Sequence, residues 1–205
     1  MQEKAMHVIR SRFRFIVCFL GLISAIPAAA QDVYLCVWRN PERTMTRIFP
    51  DARDYKTVSA PISGNQRKII EQRLGFGLLP GQQDLFQYFE MTGDTGGVIG
   101  TIIAASQKGE YGAVEFVFGL DNSGVIKDIY VQRARERSQS FKDRAFLDLF
   151  VGRSLSNCAD FTGLYSGEAS PGVTAVIRGL VKELVCYETL VLGGDEPAIK
   201  GEIHP

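Results

Sequence analysis

The segment with the clearest chemical potential runs from Tyr165 to Val176 and is rich in serine and glycine. Within it, Ser170 is followed by Pro171, a pattern typical of a helix with a serine N-cap and proline in its first turn. The first turn of a helix has unpaired N–H groups and the positive end of the helix dipole, and both favour a phosphate. The pattern predicts a helix start, with or without a bound phosphate.

Two other segments resemble ligand loops but are better explained as turns. The glycine-rich stretch Gly93–Gly100 lies between two predicted strands, whereas a dinucleotide-binding loop needs a strand before it and a helix after it. Asp121–Gly124 resembles the start of a calcium loop, but the later acidic ligand is missing at the required spacing. We predict a hairpin turn at each position.

Histidine usage argues against two classes of enzyme. His7 lies near the N-terminus and His204 near the C-terminus, so the body of the chain has no histidine. Triad hydrolases and zinc enzymes usually depend on this residue. No pair of carboxylates stands at a recognisable catalytic spacing either. The sequence leaves it uncertain whether the protein is an enzyme, and favours a carrier or subunit over a stand-alone enzyme.

The N-terminus has the three parts of a secretory signal peptide. Four basic residues precede the apolar run Phe15–Ile26, and Ala28-Ala29-Ala30 follows it. The alternative is an uncleaved membrane anchor, but the run is shorter than the roughly 20 apolar residues that span a bilayer. We predict a signal peptide over 1–30 cleaved near Ala30, a periplasmic domain over 31–194 without a transmembrane span, and a flexible tail over 195–205.

Charge and cysteine content limit the partners further. Cleavage removes four basic residues and one acidic residue from a chain that has 23 of each, which leaves a mildly acidic domain. Such a domain lacks the basic surface that binds nucleic acid. Three cysteines remain, Cys36, Cys158 and Cys186, so at most one intrachain disulfide forms. Cys158 with Cys186 is one of the possible pairs.

The elements that must position these residues follow from hydrophobic periodicity. Strands are predicted at Asp54–Ala60, Leu85–Met91, Val98–Ala105, Tyr111–Leu120 and Val125–Gln132. Helices are predicted at Pro41–Ile48, from Ser63 to Leu74 with Gly75 as C-cap, at Ser140–Phe150, and from Ser170 to about Val191. This order predicts an α+β fold, in which an antiparallel twisted sheet packs against helices.

Several phrases, in their order along the chain, resemble the FMN-binding domain family. This family includes exported flavin subunits of the Rnf and sodium-translocating NADH:quinone reductase complexes. The phrases are Ile48-Phe49-Pro50-Asp51-Ala52, the polar helix Asn65–Leu74, Val117–Ile126, Arg135–Ser138, Phe146–Gly152, and a final helix with Ala175-Val176 and Tyr187-Glu188.

The resemblance implies a site for FMN at the start of the last helix. In many members the threonine of a Ser-Gly-Ala-Thr motif carries FMN through a phosphoester bond. The similar positions here are Ser166, Gly167, Ala169 and Ser170, with Glu168 inserted between the two halves. Serine keeps the hydroxyl, while Glu168 places a negative charge beside the expected phosphate. FMN could therefore be covalent through Ser170, non-covalent or absent.

The resemblance also implies further contacts to the cofactor. The backbone N–H groups of residues 171–173, Gly172 included, would bind the phosphate, and Glu136 would lie near the flavin ring. The implied function is an exported FMN-binding protein that relays electrons outside the cytoplasmic membrane. Its partner would be a membrane redox complex or another exported electron-transfer protein. The alternative is a flavin-free accessory or assembly subunit of such a complex that retains the fold.

Overall fold

The computed structural model describes residues 46–193, and one antiparallel sheet forms the centre of this region. The strands follow one another in the order β1-β2-β3-β4-β5, each paired antiparallel with the next. They span Asp54–Pro61, Leu85–Thr92, Val98–Lys108, Ala113–Leu120 and Ile126–Arg133. Helices pack against this sheet, so the predicted α+β class is confirmed.

Turns join the strands at both segments that resemble ligand loops. Between β2 and β3, Gly96 has a φ of 77° and donates its N–H to the carbonyl of Gly93 at 3.0 Å. Between β4 and β5, Asp121 Oδ1 accepts hydrogen bonds from the N–H groups of Ser123 and Val125 at 2.8 and 2.9 Å. Local turn chemistry therefore accounts for the glycines and the aspartate.

Helix α1 spans Gly64–Leu74 and has the capping pattern that the sequence predicts. Ser63 Oγ accepts from the N–H of Gln66 at 3.3 Å, and Gln66 Oε1 accepts from the N–H of Ser63 at 2.9 Å. Gly75 ends the helix with a φ of 70°, a left-handed conformation that glycine adopts without strain. Both predicted ends of this helix are confirmed.

The prediction of one continuous helix over Ser140–Phe150 is wrong. The structure forms a 3₁₀ turn at Ser140–Lys142 and a separate single-turn helix, α2, at Arg144–Leu147. Asp143 interrupts the two with φ −67° and ψ 138°, which is extended backbone. The aromatic residues that suggested a continuous helix are still buried, because the two short turns direct them to the same core.

Helix α3 spans Pro171–Tyr187 and is the principal helix on the sheet. A π-helical turn, Glu188–Leu192, continues it. Gly179 brings the helix close to β4, since a Cβ at this position would lie 2.7 Å from the ring of Phe116. The opposite face of the sheet is covered by Ile48 and Phe49. The sheet thus has a core on each face, and the larger one lies beneath α3.

The sheet opens between β2 and β3 at one end. These strands pair from Phe89 to Thr92, and no described pairing joins residues 85–88 to β3. A 3₁₀ turn at Pro80–Gln82 lies at this gap, where Gln82 Nε2 donates to the carbonyl of Ser106 at 3.0 Å. A side chain therefore takes the place of a neighbouring strand at Ser106.

Several sequence predictions lie outside the described residues. These are the signal peptide, the thiol of Cys36, the tail over 195–205 and most of the helix predicted over Pro41–Ile48, of which residues 46–48 are described as helical. Within residues 46–193, no helix combines the length and the apolar character needed to cross a bilayer.

Candidate functional site

A cavity of about 530 Å³ lies beside the start of α3. One face of the helix forms the first wall, the turn between β3 and β4 forms the second, and the segment between α1 and β2 forms the third. Ligand pockets in proteins typically measure about 300–1,000 Å³. The cavity is therefore large enough for a cofactor.

Helix α3 contributes the longest wall. Pro171, Thr174, Ala175, Arg178 and Lys182 line the cavity at the spacing of three to four residues that places side chains on one face of a helix. The wall thus leads from Pro171 and Thr174, which are exposed, inward to Lys182, which is 2 % exposed.

The segment after α1 supplies an aromatic and aliphatic wall. Phe76 and Leu79 line the cavity, and the Arg178 guanidinium lies 4.4 Å from the centroid of the Phe76 ring. Such a contact orients the guanidinium without neutralising its charge. At this rim the cation therefore lies over one face of the aromatic ring.

The turn between β3 and β4 forms the opposite rim and depends on Glu136. Gln107, Lys108, Gly109 and Glu110 line the cavity. Glu136 is 7 % exposed, and its Oε1 accepts from the N–H of Glu110 at 2.9 Å. Because Glu136 binds the backbone of this turn, it fixes the rim from behind.

The inner end of the cavity contains a buried amide and a buried ion pair. Gln82 is 8 % exposed, and its Oε1 has no hydrogen-bond partner among the described residues. Lys182 Nζ lies 2.7 Å from Glu183 Oε1. A second cavity of about 130 Å³ extends behind Gln82 and Lys182 into the gap between β2 and β3, and Glu183 and Cys186 line it.

Electrostatics favour an anionic or electron-rich ligand in the larger cavity. Its lining includes the cations Lys108, Arg178 and Lys182, against the single carboxylate of Glu110. The thiol of Cys186 faces the smaller cavity, and burial, with a lesser contribution from Glu183, raises its pKa to about 12. No cluster of three His, Cys, Asp or Glu that could hold a metal occurs within residues 46–193.

Comparison with known proteins gives a likeness of structure and none of sequence. No family model and no curated protein matches the sequence. The fold is similar to that of the crystal structure of Shewanella oneidensis NqrC, with a TM-score of 0.40 and 14 % sequence identity. The match covers 75 % of this chain and 85 % of that chain. A likeness at this level carries no conclusion about function.

The structure brings some of the residues of the predicted motif to the cavity and leaves others on the surface. Ala169 lines the cavity. Ser170 is the N-cap of α3, where its Oγ accepts from the N–H of Val173 at 3.4 Å. Ser166, Gly167 and the intervening Glu168 are exposed and are not part of the cavity lining. The inserted glutamate thus lies in an exposed loop before the helix.

The remaining predicted contacts are only partly available. Pro171 has no N–H, so the expectation that residues 171–173 all donate to a phosphate is wrong at that position. Gly172 is buried against Phe141, whose ring a Cβ at Gly172 would overlap. Glu136 contacts the turn that forms the rim and does not itself line the cavity.

Sequence reasoning did not identify Gln82, Arg178 and Lys182. Arg178 and Lys182 are four residues apart in a helix that is otherwise mainly apolar, and this spacing was the available signal. Gln82 follows Pro80-Gly81 in a segment with no periodic pattern. Its burial depends on the gap between β2 and β3, which the sequence does not reveal.

Proposed function

We propose that this protein is an exported FMN-binding electron-transfer protein that relays electrons outside the cytoplasmic membrane. The observation that carries the proposal is the cavity beside the first turn of α3, where the sequence resemblance implies a flavin. Its lining combines apolar side chains, one of them aromatic, with an excess of positive charge, which suits a planar ring with a phosphate.

The residues present fit this group. The unpaired Oε1 of Gln82 is a buried acceptor, and leaving such an atom without a donor costs about 1–3 kcal/mol. A ligand with a polar hydrogen would remove that cost. Phe76 and Leu79 suit the apolar part of a ring, and Arg178 contacts Phe76 at the same rim.

Separate parts of the chain would hold the two ends of FMN. Arg178 and Lys108 would bind the phosphate at the exposed rim, where long cationic side chains reach it without being buried. The inner end, with Gln82 and Lys182, would hold the ring away from bulk water. The flavin supplies the electron-transfer chemistry, while the chain binds, orients and shields it.

Covalent attachment through Ser170 is compatible with its position. Ser170 lies between Ala169 and Pro171, and both of these line the cavity. Its Oγ acts as an acceptor toward Val173, a role that an esterified oxygen can keep. Glu168, the inserted residue, is exposed, so its charge is screened by solvent.

The decisive experiment is a spectrum and an intact mass of the mature protein from the periplasmic fraction. We expect a yellow protein, with a mass increment of one FMN if the link is covalent. Ser170→Ala should then abolish the increment, while Ser166→Ala, at an exposed serine in the same loop, should retain it. A protein that neither contains nor takes up FMN would overturn the proposal.

A second experiment tests the phosphate end of the site. Arg178→Gln should weaken reversible FMN binding by about tenfold or more, since a charge-assisted hydrogen bond contributes about 1.5–3 kcal/mol. Arg153→Gln removes the same charge from an exposed position outside the cavity lining and should leave the affinity unchanged. Equal effects of the two variants would contradict the assigned phosphate position.

Co-purification would identify the partner. We propose that the protein docks on a membrane redox complex or on another exported electron carrier. Cross-linking in membranes, followed by identification of the captured subunit, would distinguish these partners. A colourless protein that leaves the membrane with a redox complex would favour the flavin-free accessory subunit instead.

A further inference from the structure

We propose that the inner end of the larger cavity recognises the imide edge of the flavin ring through Gln82 and Lys182, and that the Lys182–Glu183 pair sets the relative affinity for reduced and oxidised flavin. This inference rests on the proposed FMN-binding function. It assigns the orientation of the ring and the charge that acts on it.

Gln82 supplies a fixed acceptor. Its Nε2 donates to the carbonyl of Ser106 at 3.0 Å, and a carbonyl can only accept, so the orientation of the amide is determined. Its Oε1 is then the atom without a partner among the described residues. Because Gln82 is 8 % exposed and lines both cavities, a molecule bound in either cavity is placed to supply the missing donor.

Lys182 supplies a donor at the same end of the cavity. The ammonium group has three N–H bonds, and Glu183 Oε1 lies 2.7 Å from its nitrogen. At least one N–H therefore remains for a ligand in the cavity that Lys182 lines. An oxygen of the ligand would bind here as the partner of a charged donor, which makes the hydrogen bond about twice as strong as a neutral one.

The two residues together match an imide. A cyclic imide presents a carbonyl oxygen beside an N–H, so it can accept from Lys182 and donate to Gln82 at once. The pyrimidine part of the flavin ring has this edge, whereas its dimethylbenzene part has no polar hydrogen. The pattern therefore selects which end of the ring enters the cavity first.

The Lys182–Glu183 ion pair would give the site different affinities for reduced and oxidised flavin. Two-electron reduction increases the negative charge on the pyrimidine part of the ring. Lys182 lines the cavity that would hold this charge, and Glu183 lines only the smaller cavity behind it. Solvent screens these charges poorly, since the side chains of Lys182 and Glu183 are only 2 % and 8 % exposed. Lys182 should favour reduced flavin, and Glu183 should oppose this effect.

The recognition test compares FMN with N3-methyl-FMN, which has lost the imide N–H but keeps the phosphate. The mature chain carries Ser170→Ala, so that binding is reversible, and affinity is measured by flavin fluorescence. We expect FMN to bind at least tenfold more tightly than the methylated analogue. Gln82→Met should abolish the difference, while Gln83→Met, at a neighbouring residue that does not line the cavities, should retain it.

The charge test measures the reduction potential of bound FMN with dithionite as electron donor. Lys182→Met should lower the affinity for reduced relative to oxidised flavin, and Glu183→Gln should raise it. A tenfold change corresponds to about 30 mV for a two-electron couple. Arg153→Gln removes a positive charge from an exposed position outside both cavities and should leave the potential unchanged.

Each outcome decides between the proposals. If FMN binds but the methylated analogue binds equally well, the imide assignment is wrong and the proposed function stands. If the Lys182 and Glu183 variants shift the potential in the same direction, or not at all, the charge assignment is wrong. If FMN does not bind the unaltered protein, the proposed function fails and this inference fails with it. Should Lys182→Met not fold, the analogue and Glu183→Gln still decide.

Discussion

The thiol of Cys186 provides a direct test of the buried inner end of the site. Cys186 is 3 % exposed on α3 and lines the smaller cavity, whereas Cys158 is partly exposed, and both are free thiols. The Cys158–Cys186 disulfide that the sequence left open is therefore not formed in the structure. We expect Cys186 to resist alkylation in the folded protein.

The size of the effect follows from the pKa. Burial raises the pKa of Cys186 from 9.0 to about 12, and the thiolate is the form that reacts with an alkylating reagent. At pH 8 the thiolate fraction is therefore about a thousandfold lower than that of an unperturbed thiol. Transient unfolding adds little, since a stability of about 5 kcal/mol or more exposes the thiol in fewer than about one molecule in a thousand.

The assay is iodoacetamide labelling at pH 8 after reduction, with peptide mass spectrometry to assign each cysteine. Cys158 should label quickly and Cys186 about a thousandfold more slowly than the same residue in denaturant. Glu183→Gln should speed the labelling of Cys186, because Glu183 contributes to its raised pKa. If Cys186 in the folded protein is labelled at a rate within tenfold of its rate in denaturant, the conclusion that the inner end of the site is closed to solvent is wrong.

Three further predictions concern stability. Burial raises the pKa of Tyr88 to about 12, so the folded state holds this proton more tightly than the unfolded state. The unfolding free energy should therefore fall as the pH rises from about 10 to 12, and Tyr88→Phe should reduce the fall in urea titrations. Gly172→Ala would overlap the Phe141 ring and should destabilise the protein by about 1–3 kcal/mol in urea, whereas Gly64→Ala meets no atom within 4 Å and should have little effect. Ser63→Ala removes the N-cap of α1 and should lower the unfolding free energy, measured in the same way, by about 1 kcal/mol. An unchanged pH slope in Tyr88→Phe, equal effects of the two glycine variants, or no loss in Ser63→Ala would contradict the respective assignments.

The features that the sequence predicts well are those determined by neighbours along the chain. Helix α1 has a complete capping box and a glycine C-cap, all within one short segment, so its ends are encoded locally. The strand segments either alternate polar and apolar residues or form apolar runs between turn residues, and each predicted strand is found. The helix prediction for Ser140–Phe150 is wrong because the spacing of its aromatic residues suits a helix, whereas extended backbone at Asp143 divides the segment.

The candidate site was only partly predictable because it depends on tertiary packing. The start of α3 was visible from Ser170-Pro171, and the cavity does lie beside it. The sequence does not indicate that Lys182 is buried, since a lysine in a helix is normally exposed. It is buried because α3 packs against its surroundings on nearly every side, and Glu183 is buried with it. A local pattern cannot reveal that kind of enclosure.

The cost of these buried polar groups supports the proposal that they bind a ligand. Replacing a buried ion pair with apolar side chains of similar volume is often neutral or stabilising by about 1–4 kcal/mol. The Lys182–Glu183 pair is therefore weak evidence for stabilisation of the core, and the unpaired Oε1 of Gln82 adds a further cost. Gln82 and Lys182 both line the larger cavity, and Glu183 lies directly behind them. The proposed flavin site would use these groups together, which would account for their shared position at the inner end of the cavity.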